Sequence, residues 1–451
     1  MATHRGTLTP ATKPGNHAGR RVILIALDWH RPKDPRLPLG HASLAARLAT
    51  TPGVELIHGA FDVNSPGGQP EFVAKQILEH ALARPAAEVD LAVGAYVWNE
   101  AVVQRLLPLI RQGGFHGRIV LGGPQISYAG PGLETLYPEA DAFVRGAGED
   151  ALAALATSNS STAIPGVHFA GRLDREENAR VRLRAQPSPW LTGTCSVPAS
   201  GFARWETQRG CPFRCAFCQH RDPGSRPACQ HADENRLIAE QELLVRQGAQ
   251  EIAVLDPVFS SSKRSVSVLD RFSQLGFRGR LELQAHFDLI RAPLLDACQR
   301  LDTCLELGLQ TIHPAEQAAI GRRNDLDHAS SVLAELQARG IACEVSLIYG
   351  LPEQTPESFR ATLAWLLERR VPVIKAYPLM LLRGTGLDRK RERWGLEEDG
   401  APIPRVVRSH SFDEQDWQRM HALAQALATT KGHHPTSLAA LERKLIIRRA
   451  A

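Results

Sequence analysis

Three cysteines in one short segment are the residues of this sequence best suited to chemistry. Cys211, Cys215 and Cys218 follow the spacing C-x3-C-x2-C, which brings three thiolates together on a single loop. Iron–sulfur clusters that are held only by protein normally take four cysteine ligands. The spacing therefore predicts a cluster in which one iron stays open for a small molecule.

Zinc is an alternative occupant of this loop. His220 lies two residues after Cys218 and would complete a Cys3His zinc site, so the spacing alone leaves both metals open, as well as a chance cluster of structural cysteines. The remaining cysteines show no paired C-x2-C spacing, so we predict no second cluster from Cys195, Cys229, Cys298, Cys304 and Cys343.

The composition is that of an ordinary globular protein. A length of 451 residues allows two or three domains, and the net charge is only +5. The basic runs lack interleaved aromatic residues, which does not favour nucleic-acid binding. The sequence has no apolar stretch of about 18 residues and no signal-peptide core near its beginning. We therefore expect a cytoplasmic protein that binds neither membrane nor nucleic acid.

The first part of the chain alternates apolar runs with segments of helical period. We expect a flexible tail over residues 1–20 and a doubly wound parallel sheet, of the Rossmann-like α/β class, over 21–160. The predicted strands are Val22–Leu27, Val54–His58, Leu91–Tyr96, Arg118–Leu121 and Ala142–Val144, and the predicted helices are Ala42–Ala49, Glu71–Ala83 and Glu100–Arg111.

Glycines in this first domain fall after its later strands. The turn after the first strand has no glycine between Ala26 and Asp34, which argues against a nicotinamide dinucleotide site. Gly122-Gly123 and Gly146-Ala-Gly148-Glu149 follow the fourth and fifth strands. Such turns either bind a ligand at the carboxyl edge of the sheet or are tight turns with no further role.

After a predicted linker over residues 161–203, the alternation resumes. Six strand–helix units over 204–385 predict a partial (β/α)6 barrel of TIM type, followed by a C-terminal helical extension over 386–451. The strands are expected at Arg204–Arg209, Glu251–Leu255, Arg280–Ala285, Cys304–Gln310, Ala342–Tyr349 and Val373–Tyr377, and the helices at Asn235–Arg246, Ser265–Gln274, Pro293–Leu301, Ala329–Arg339 and Pro356–Glu368.

The cysteine segment and the strand ends resemble the radical S-adenosylmethionine (SAM) superfamily. Glu282 matches the acidic residue that holds the SAM ammonium group, Gln310 matches a polar SAM contact, and Arg322 matches the arginine that pairs with the SAM carboxylate. Ser346–Thr355 resembles the segment that binds adenine and ribose. The resemblance implies a [4Fe–4S] cluster on the three cysteines and further SAM contacts from Phe217, Ile348 and Tyr377.

Two positions depart from the superfamily pattern. Ser346 stands where an aspartate commonly grips the ribose diol, so another group must help or ribose binding is weaker. The glycine-rich turn that usually binds the SAM amine is replaced by Leu255-Asp-Pro-Val-Phe259. Asp256 in that turn is therefore expected to contact the amine or the substrate.

The first domain resembles the cobalamin-binding domain that precedes the barrel in one large radical SAM group. The Asp-x-His-x-x-Gly signature of methionine-synthase-type cobalamin domains is not found, which leaves cobalamin open as a third cofactor. The segment over 386–451 is shorter than the C-terminal extension usual in cobalamin-dependent radical SAM methyltransferases, which argues against methyl transfer.

The resemblance implies reductive cleavage of SAM to methionine and a 5′-deoxyadenosyl radical, with electrons from a donor of the flavodoxin or ferredoxin type. The compact architecture also resembles the radical SAM diol dehydratases of aminoglycoside-antibiotic pathways. That resemblance implies radical dehydration of an aminoglycoside-type sugar diol, together with a separate NADPH-dependent reductase. Cobalamin-dependent C-methylation is the alternative, and a non-catalytic zinc or cluster protein is a remote one. The acid–base candidates for the small-molecule substrate are Glu206, Asp256, His286 and Glu344.

Overall fold

The computed structural model describes residues 6–11, 19–31, 34, 37–158, 163–220 and 229–449, so most of the predicted flexible tail lies outside the described residues. The chain divides into two compact units. The first unit comprises Met1–Arg204 and Ala232–Ala249, and the second unit comprises Trp205–His231 and Gln250–Ala451.

The first unit is built on one seven-stranded sheet. Its strands are β1 (Thr9–Pro10), β2 (Arg20–Asp28), β3 (Val54–Asp62), β4 (Val89–Gly94), β5 (Arg118–Gly122), β6 (Ala142–Val144) and β7 (Val167–Phe169). Its helices are α1 (Leu39–Ala49), α2 (Pro70–Ala81), α3 (Glu100–Gln112), α4 (Pro124–Ser127), α5 (Leu133–Leu136), α6 (Gly148–Thr157) and α7 (Glu234–Arg246).

The strand order of this sheet is β1-β3-β2-β4-β5-β6-β7. Strands β2 to β6 are parallel to their neighbours, and counted along the chain they give the flavodoxin-like order 2-1-3-4-5. Sheets of this order bind ligands where the ends of the first and third strands diverge. The five predicted strands are thus parallel, as expected, and two short strands that were not predicted, β1 and β7, pair antiparallel at the edges, β7 within the predicted linker.

Alternate residues of the central strand β2 point to two separate cores. Ile23 and Ile25 belong to a buried cluster with residues of α2 and α3, whereas Val22 and Leu24 belong to a cluster with residues of α1 and α6. A strand that is apolar on both faces must be covered on both faces. The doubly wound arrangement is therefore confirmed.

Helix α7 is joined to the first unit by buried polar contacts. The Glu240 carboxylate has no exposed surface, and it accepts hydrogen bonds from the Ser188 hydroxyl and from Arg236 Nε at 2.8 Å. A buried carboxylate needs such partners to offset its lost hydration. Although α7 follows the first barrel strand in sequence, it packs with the unit that precedes the barrel.

The second unit contains the partial barrel. Its strands are β8 (Phe202–Trp205), β9 (Gln208–Arg209), β10 (Gln230–His231), β11 (Glu251–Val254), β12 (Arg280–Ala285), β13 (Asp302–Gln310), β14 (Ala342–Tyr349), β15 (Val373–Pro378), β16 (Glu397–Glu398) and β17 (Val406–Arg408). Its helices are α8 (Ser265–Gln274), α9 (Ala292–Gln299), α10 (Pro314–Ala319), α11 (Leu326–Arg339), α12 (Pro356–Glu368), α13 (Arg391–Trp394), α14 (Glu414–Thr430) and α15 (Leu438–Arg449). No helix in the described ranges is long and apolar enough to cross a membrane.

The barrel sheet has the order β15-β14-β13-β12-β11-β8, and β11 to β15 are parallel. Leu281 and Leu283 on β12 are fully buried, while Glu282 and Gln284, which alternate with them, are only partly buried. One face of the sheet is thus apolar, and we call the other the polar face. The predicted partial barrel is confirmed, except that its first strand ends at Trp205 and β9 pairs separately with β10.

Candidate functional site

The cysteine loop follows β9 and is held from two sides. Ala216, inside the loop, donates its backbone N–H to the Ile320 carbonyl at 2.7 Å and accepts from the Leu387 N–H at 2.8 Å. A side chain at Gly386 would place its Cβ 3.1 Å from the Ala216 Cβ, so glycine permits this close approach. Two distant turns therefore fix the loop between its second and third cysteines.

The three thiols of the loop affect one another electrostatically. The pKa of Cys218 is raised to about 11, mainly by burial and to a smaller extent by the other two thiols, against the lowering effects of the His220 N–H and the Arg322 guanidinium. The Cys218 sulfur also accepts the backbone N–H of His220 at 3.4 Å. Within the described ranges, no group of three His, Cys, Asp or Glu side chains could hold a single metal ion. A [4Fe–4S] cluster needs no such group, because each of its cysteines binds a different iron.

Arg322 and Gln310 lie beside the cysteines with unused hydrogen-bonding groups. Arg322 donates to Cys215 Sγ at 3.7 Å and to the Gly308 carbonyl at 2.5 Å. Its Nε and the Gln310 Oε1 are buried and find no partner among the described residues. Buried polar groups normally have partners. A free donor beside a free acceptor fits a ligand that carries both a carboxylate and an amine, as SAM does.

The backbone around this pair is specialised. Gln310 has φ of +67°, a left-handed conformation that is rare outside glycine and is often found at functional sites. A Cβ at Gly308 would come within 2.6 Å of the Gln310 amide nitrogen and 3.1 Å of Arg322 Nη2. The missing side chain at position 308 therefore makes room for both functional groups.

His286 supports the cysteine loop through a ring contact. Its imidazole stacks on Phe213 with ring centroids 4.1 Å apart and planes inclined by 12°. Burial, and to a smaller extent the charge of Arg322, lower the pKa of His286 to about 3, so the ring is neutral near pH 7. A neutral imidazole can accept a proton but is not an acid near pH 7, and the predicted acid–base role of His286 stays a prediction.

Asp256 is fully buried behind the strand that leads to the cysteine loop. It has no exposed surface and accepts the backbone N–H groups of Thr207 at 2.8 Å and Gln208 at 3.1 Å, as well as the Thr207 hydroxyl. These three hydrogen bonds do not favour the predicted contact of Asp256 with the SAM amine or the substrate, which stays a prediction. Asp256 instead fixes the backbone that leads into the cysteine loop.

We expect Asp256→Ala to lower the free energy of unfolding by about 2–5 kcal/mol, because two buried N–H groups lose their acceptor. Asp256→Asn should keep most of that stability, since its Oδ1 accepts the same two N–H groups. Two measured quantities should decrease in proportion to the loss of stability. They are the iron content after anaerobic reconstitution and the amount of 5′-deoxyadenosine formed. Equal loss of 5′-deoxyadenosine formation in both variants, with normal iron content, would instead show an acid–base role.

The same variants should differ in their response to pH. Burial raises the pKa of Asp256 to about 7, whereas in the unfolded chain it is about 3.9. The folded state therefore holds the proton more tightly, and the free energy of unfolding should fall by at most about 4 kcal/mol as pH rises from about 4 to 7. In Asp256→Asn, the free energy of unfolding should not show this decrease with pH. Thermal unfolding measured between about pH 4 and pH 7 gives the comparison.

The other two acid–base candidates lie in ion pairs. Glu206 binds Arg209 through two hydrogen bonds of 2.9 and 2.8 Å, and Glu344 lies 2.5 Å from the Lys375 ammonium. Each of these carboxylates therefore already has a cationic partner.

The remaining predicted SAM contacts lie on the barrel and in the loop. Glu282, Ser346 and Ile348 lie in alternating, partly buried positions of β12 and β14. Tyr377 on β15 is the register partner of Ile348 and is 50% exposed. Phe217 is half-buried in the cysteine loop. These placements leave the predicted SAM roles as predictions.

The first unit has its own concentration of polar and aromatic groups, at the ends of β2 and β4. Asn99 donates to the Leu27 carbonyl at 2.7 Å and to the Gly94 carbonyl at 3.0 Å, which ties the two strand ends together. Tyr96 and Trp98 stack with ring centroids 4.5 Å apart. The Trp98 indole nitrogen is buried and has no partner in the described part of the chain.

A histidine that sequence analysis missed lies at the same sheet edge. Asn64 holds the His30 backbone by accepting its N–H at 3.0 Å and donating to its carbonyl at 2.8 Å. The His30 Nδ1 is buried without a partner among the described residues. The signal was present in the sequence, because Asp28 and His30 form the Asp-x-His half of the cobalamin signature directly after the first strand.

The glycine turns at this edge have a structural explanation. Gly123 has φ of +93°, and a Cβ there would lie 2.7 Å from the Ala95 carbonyl. At Gly146, with φ of +77°, a Cβ would lie 2.5 Å from the Ala179 carbonyl. Both glycines are required by close packing of backbone, so they are not evidence for a ligand.

Residues 205–366 match the Radical SAM superfamily. The cobalamin-dependent radical SAM methyltransferase TokK of Streptomyces tokunonensis is 27% identical over 459 residues, covering 91% of this chain and 65% of that protein. The 2-(S-pantetheinyl)-carbapenam-3-carboxylate methyltransferase of Streptantibioticus cattleyicolor is 26% identical over 465 residues, covering 92% of this chain and 66% of that protein. The chain thus spans slightly less than two thirds of either relative.

Two solved structures share the fold over most of the chain. The radical SAM methyltransferase TsrM from Kitasatospora setae, with cobalamin and a [4Fe–4S] cluster bound, superposes with a TM-score of 0.66 at 17% identity and covers 89% of this chain and 81% of its own. The cobalamin-dependent S-adenosylmethionine radical enzyme OxsB, with aqua-cobalamin bound, gives a TM-score of 0.69 at 14% identity. The match covers 92% of this chain and 68% of the OxsB chain.

Proposed function

We propose that this chain, whose residues 205–366 form a radical SAM domain, is a cobalamin-dependent methyltransferase that acts on a small secondary metabolite. The domain implies a [4Fe–4S] cluster and SAM as cofactors. The observation that carries the proposal is similarity along 91% and 92% of the chain to two proteins named as methyltransferases. When bound, the cluster supplies the electron that cleaves SAM, and cobalamin carries the methyl group.

The second unit supplies the groups that hold the cluster and SAM. Cys211, Cys215 and Cys218 would ligate three irons and leave the fourth to SAM. The buried Nε of Arg322 can donate to the SAM carboxylate, and the buried Oε1 of Gln310 can accept from its ammonium group. Both groups are already desolvated and oriented, so little further ordering is needed when SAM binds.

The first unit supplies a fitting site for cobalamin where the order of its strands reverses. Trp98 and His30 present a buried indole N–H and a buried ring nitrogen there. The corrin ring carries amide side chains that can accept from or donate to such groups. The stacked rings of Tyr96 and Trp98 offer an apolar surface that can exclude water from the corrin.

Dehydration of an aminoglycoside-type diol receives less support from the site. Asp256 and His286 are buried in the support of the cysteine loop, and Glu206 and Glu344 lie in ion pairs. Three of the four acid–base candidates thus already have hydrogen-bond or ion-pair partners, whereas the Nε2 of His286 is buried and has none among the described residues. An electron donor of the flavodoxin or ferredoxin type remains part of the proposal. The NADPH-dependent reductase was expected only for dehydration, so it is not part of the proposal.

Product analysis tests the proposal without knowledge of the substrate. Protein purified from cobalamin-supplemented cells should show a corrinoid absorption spectrum. With SAM and a reductant, it should release both S-adenosylhomocysteine, left when SAM gives up its methyl group, and 5′-deoxyadenosine, left by reductive cleavage. Protein prepared without cobalamin is the control and should form only 5′-deoxyadenosine.

Two outcomes would contradict methyl transfer. One is failure to retain any corrinoid under these conditions. The other is release of 5′-deoxyadenosine with no S-adenosylhomocysteine from corrinoid-loaded protein, which would return dehydration to first place.

A further inference from the structure

Lys375 lies beside Ser346 on the polar face of the barrel. The two residues are register partners on the neighbouring parallel strands β14 and β15. Parallel strands lie about 4.8 Å apart, and register partners point to the same side of a sheet. The side chains of Ser346 and Lys375 therefore leave the sheet next to each other.

A second charged residue orients Lys375. Glu344 precedes Ser346 by two positions on the same strand face, and its Oε2 lies 2.5 Å from Lys375 Nζ. The Glu344 side chain is only 12% exposed, whereas that of Lys375 is 45% exposed. The carboxylate is thus a buried anchor, and the ammonium keeps a side that is open to a ligand.

The ammonium is charged under working conditions. Burial alone would lower the pKa of Lys375, but the hydrogen bond and charge of Glu344 outweigh this effect and raise it above its ordinary value. A lysine ammonium has three N–H donors, and Glu344 uses one of them in the observed pair. The remaining donors can serve oxygen acceptors close to Ser346.

We propose that Lys375 binds the ribose hydroxyl oxygens of SAM beside Ser346. The inference rests on the SAM site of the proposed function. At the position of Ser346, related enzymes commonly have an aspartate whose carboxylate binds both ribose hydroxyls, and Lys375 would supply the second hydrogen-bonding group that the single Ser346 hydroxyl lacks. In place of a carboxylate that accepts from both ribose hydroxyls, this site has an ammonium that donates to their oxygens. Glu344 is a positioning residue for that ammonium.

Ribose analogues provide the direct test on reconstituted holoenzyme. Wild-type protein should bind SAM roughly 10- to 100-fold more tightly than its 2′-deoxy or 3′-deoxy analogue, the range that a hydrogen bond to a charged group gives. Lys375→Met should weaken SAM binding by a similar factor and leave the affinity for at least one deoxy analogue nearly unchanged. Lys375→Arg should recover part of the loss. Equilibrium dialysis measures these affinities.

A matched control is Lys75→Met, which removes an exposed lysine from α2 in the first unit and should change neither affinity. Equal weakening for SAM and both deoxy analogues in Lys375→Met, or no weakening at all, would overturn the proposal. SAM binding by the reconstituted holoenzyme is measured without a methyl acceptor. Failure of methyl transfer would therefore leave this test intact.

Discussion

Cys218→Ala is expected to abolish reductive cleavage of SAM. With two protein ligands left, the cluster either fails to assemble or loses the iron that SAM needs, and the radical chemistry belongs to the cofactor. We expect the iron content to fall and 5′-deoxyadenosine formation to drop by at least about 10³-fold. Iron and sulfide analysis, together with product quantification under anaerobic conditions, measures both.

Cys229→Ala is the matched control for this variant. Cys229 lies close enough to the loop to raise the pKa of Cys211, and its thiol is directed at the Gly210 carbonyl at 3.6 Å. The control should keep the wild-type iron content and activity. If it lost iron as Cys218→Ala does, the cluster would have four cysteine ligands and no open iron for SAM.

Arg322→Met should weaken SAM binding about 100-fold while the cluster still assembles. The Nε–H of the guanidinium is buried without a partner among the described residues and can donate to the SAM carboxylate. A hydrogen bond between charged groups contributes about 1.5–3 kcal/mol. Arg322→Lys should recover only part of this affinity, because lysine lacks the planar fork of donors. Equilibrium dialysis with SAM gives the affinities, and iron analysis shows whether the cluster is retained.

Arg323→Met provides the control for loss of positive charge at the same turn. Arg323 is the exposed neighbour of Arg322, so its removal changes the net charge equally without affecting the buried donor. Equal SAM affinity in the two methionine variants would show that Arg322 does not contact SAM.

The fold was predictable because its strands and helices have strong periodicity. The limits of β6, β12 and β14 match the predicted strands, and those of α8 and α12 match the predicted helices. The antiparallel edge strands were missed because β1 spans two residues and β7 three, too few for a period to appear. Short edge strands are defined by their pairing partners, which a local pattern does not contain.

The site was predictable where spacing in the sequence reflects chemistry, as in the cysteine loop. The surroundings of the other candidate residues depend on how deeply each side chain is buried, which spacing in the sequence does not show. Asp256 and His286 follow barrel strands, as catalytic residues often do, yet both are turned into the protein to support the loop. Lys375 escaped notice because its importance comes from its register with Ser346 and its ion pair with Glu344. Register and ion pairs between neighbouring strands join residues that are far apart in the sequence, so a local sequence pattern does not reveal them.

Helix α7 has a consequence for how this protein can have evolved. Its residues lie between two strands of the barrel in the gene, while Glu240 on the helix is buried against Ser188 of the first unit. A single recombination crossover near residue 204 would bring in a foreign helix and leave the Ser188 hydroxyl without its carboxylate. An exchange of the first unit between related chains would therefore keep this contact only if α7 were exchanged with it.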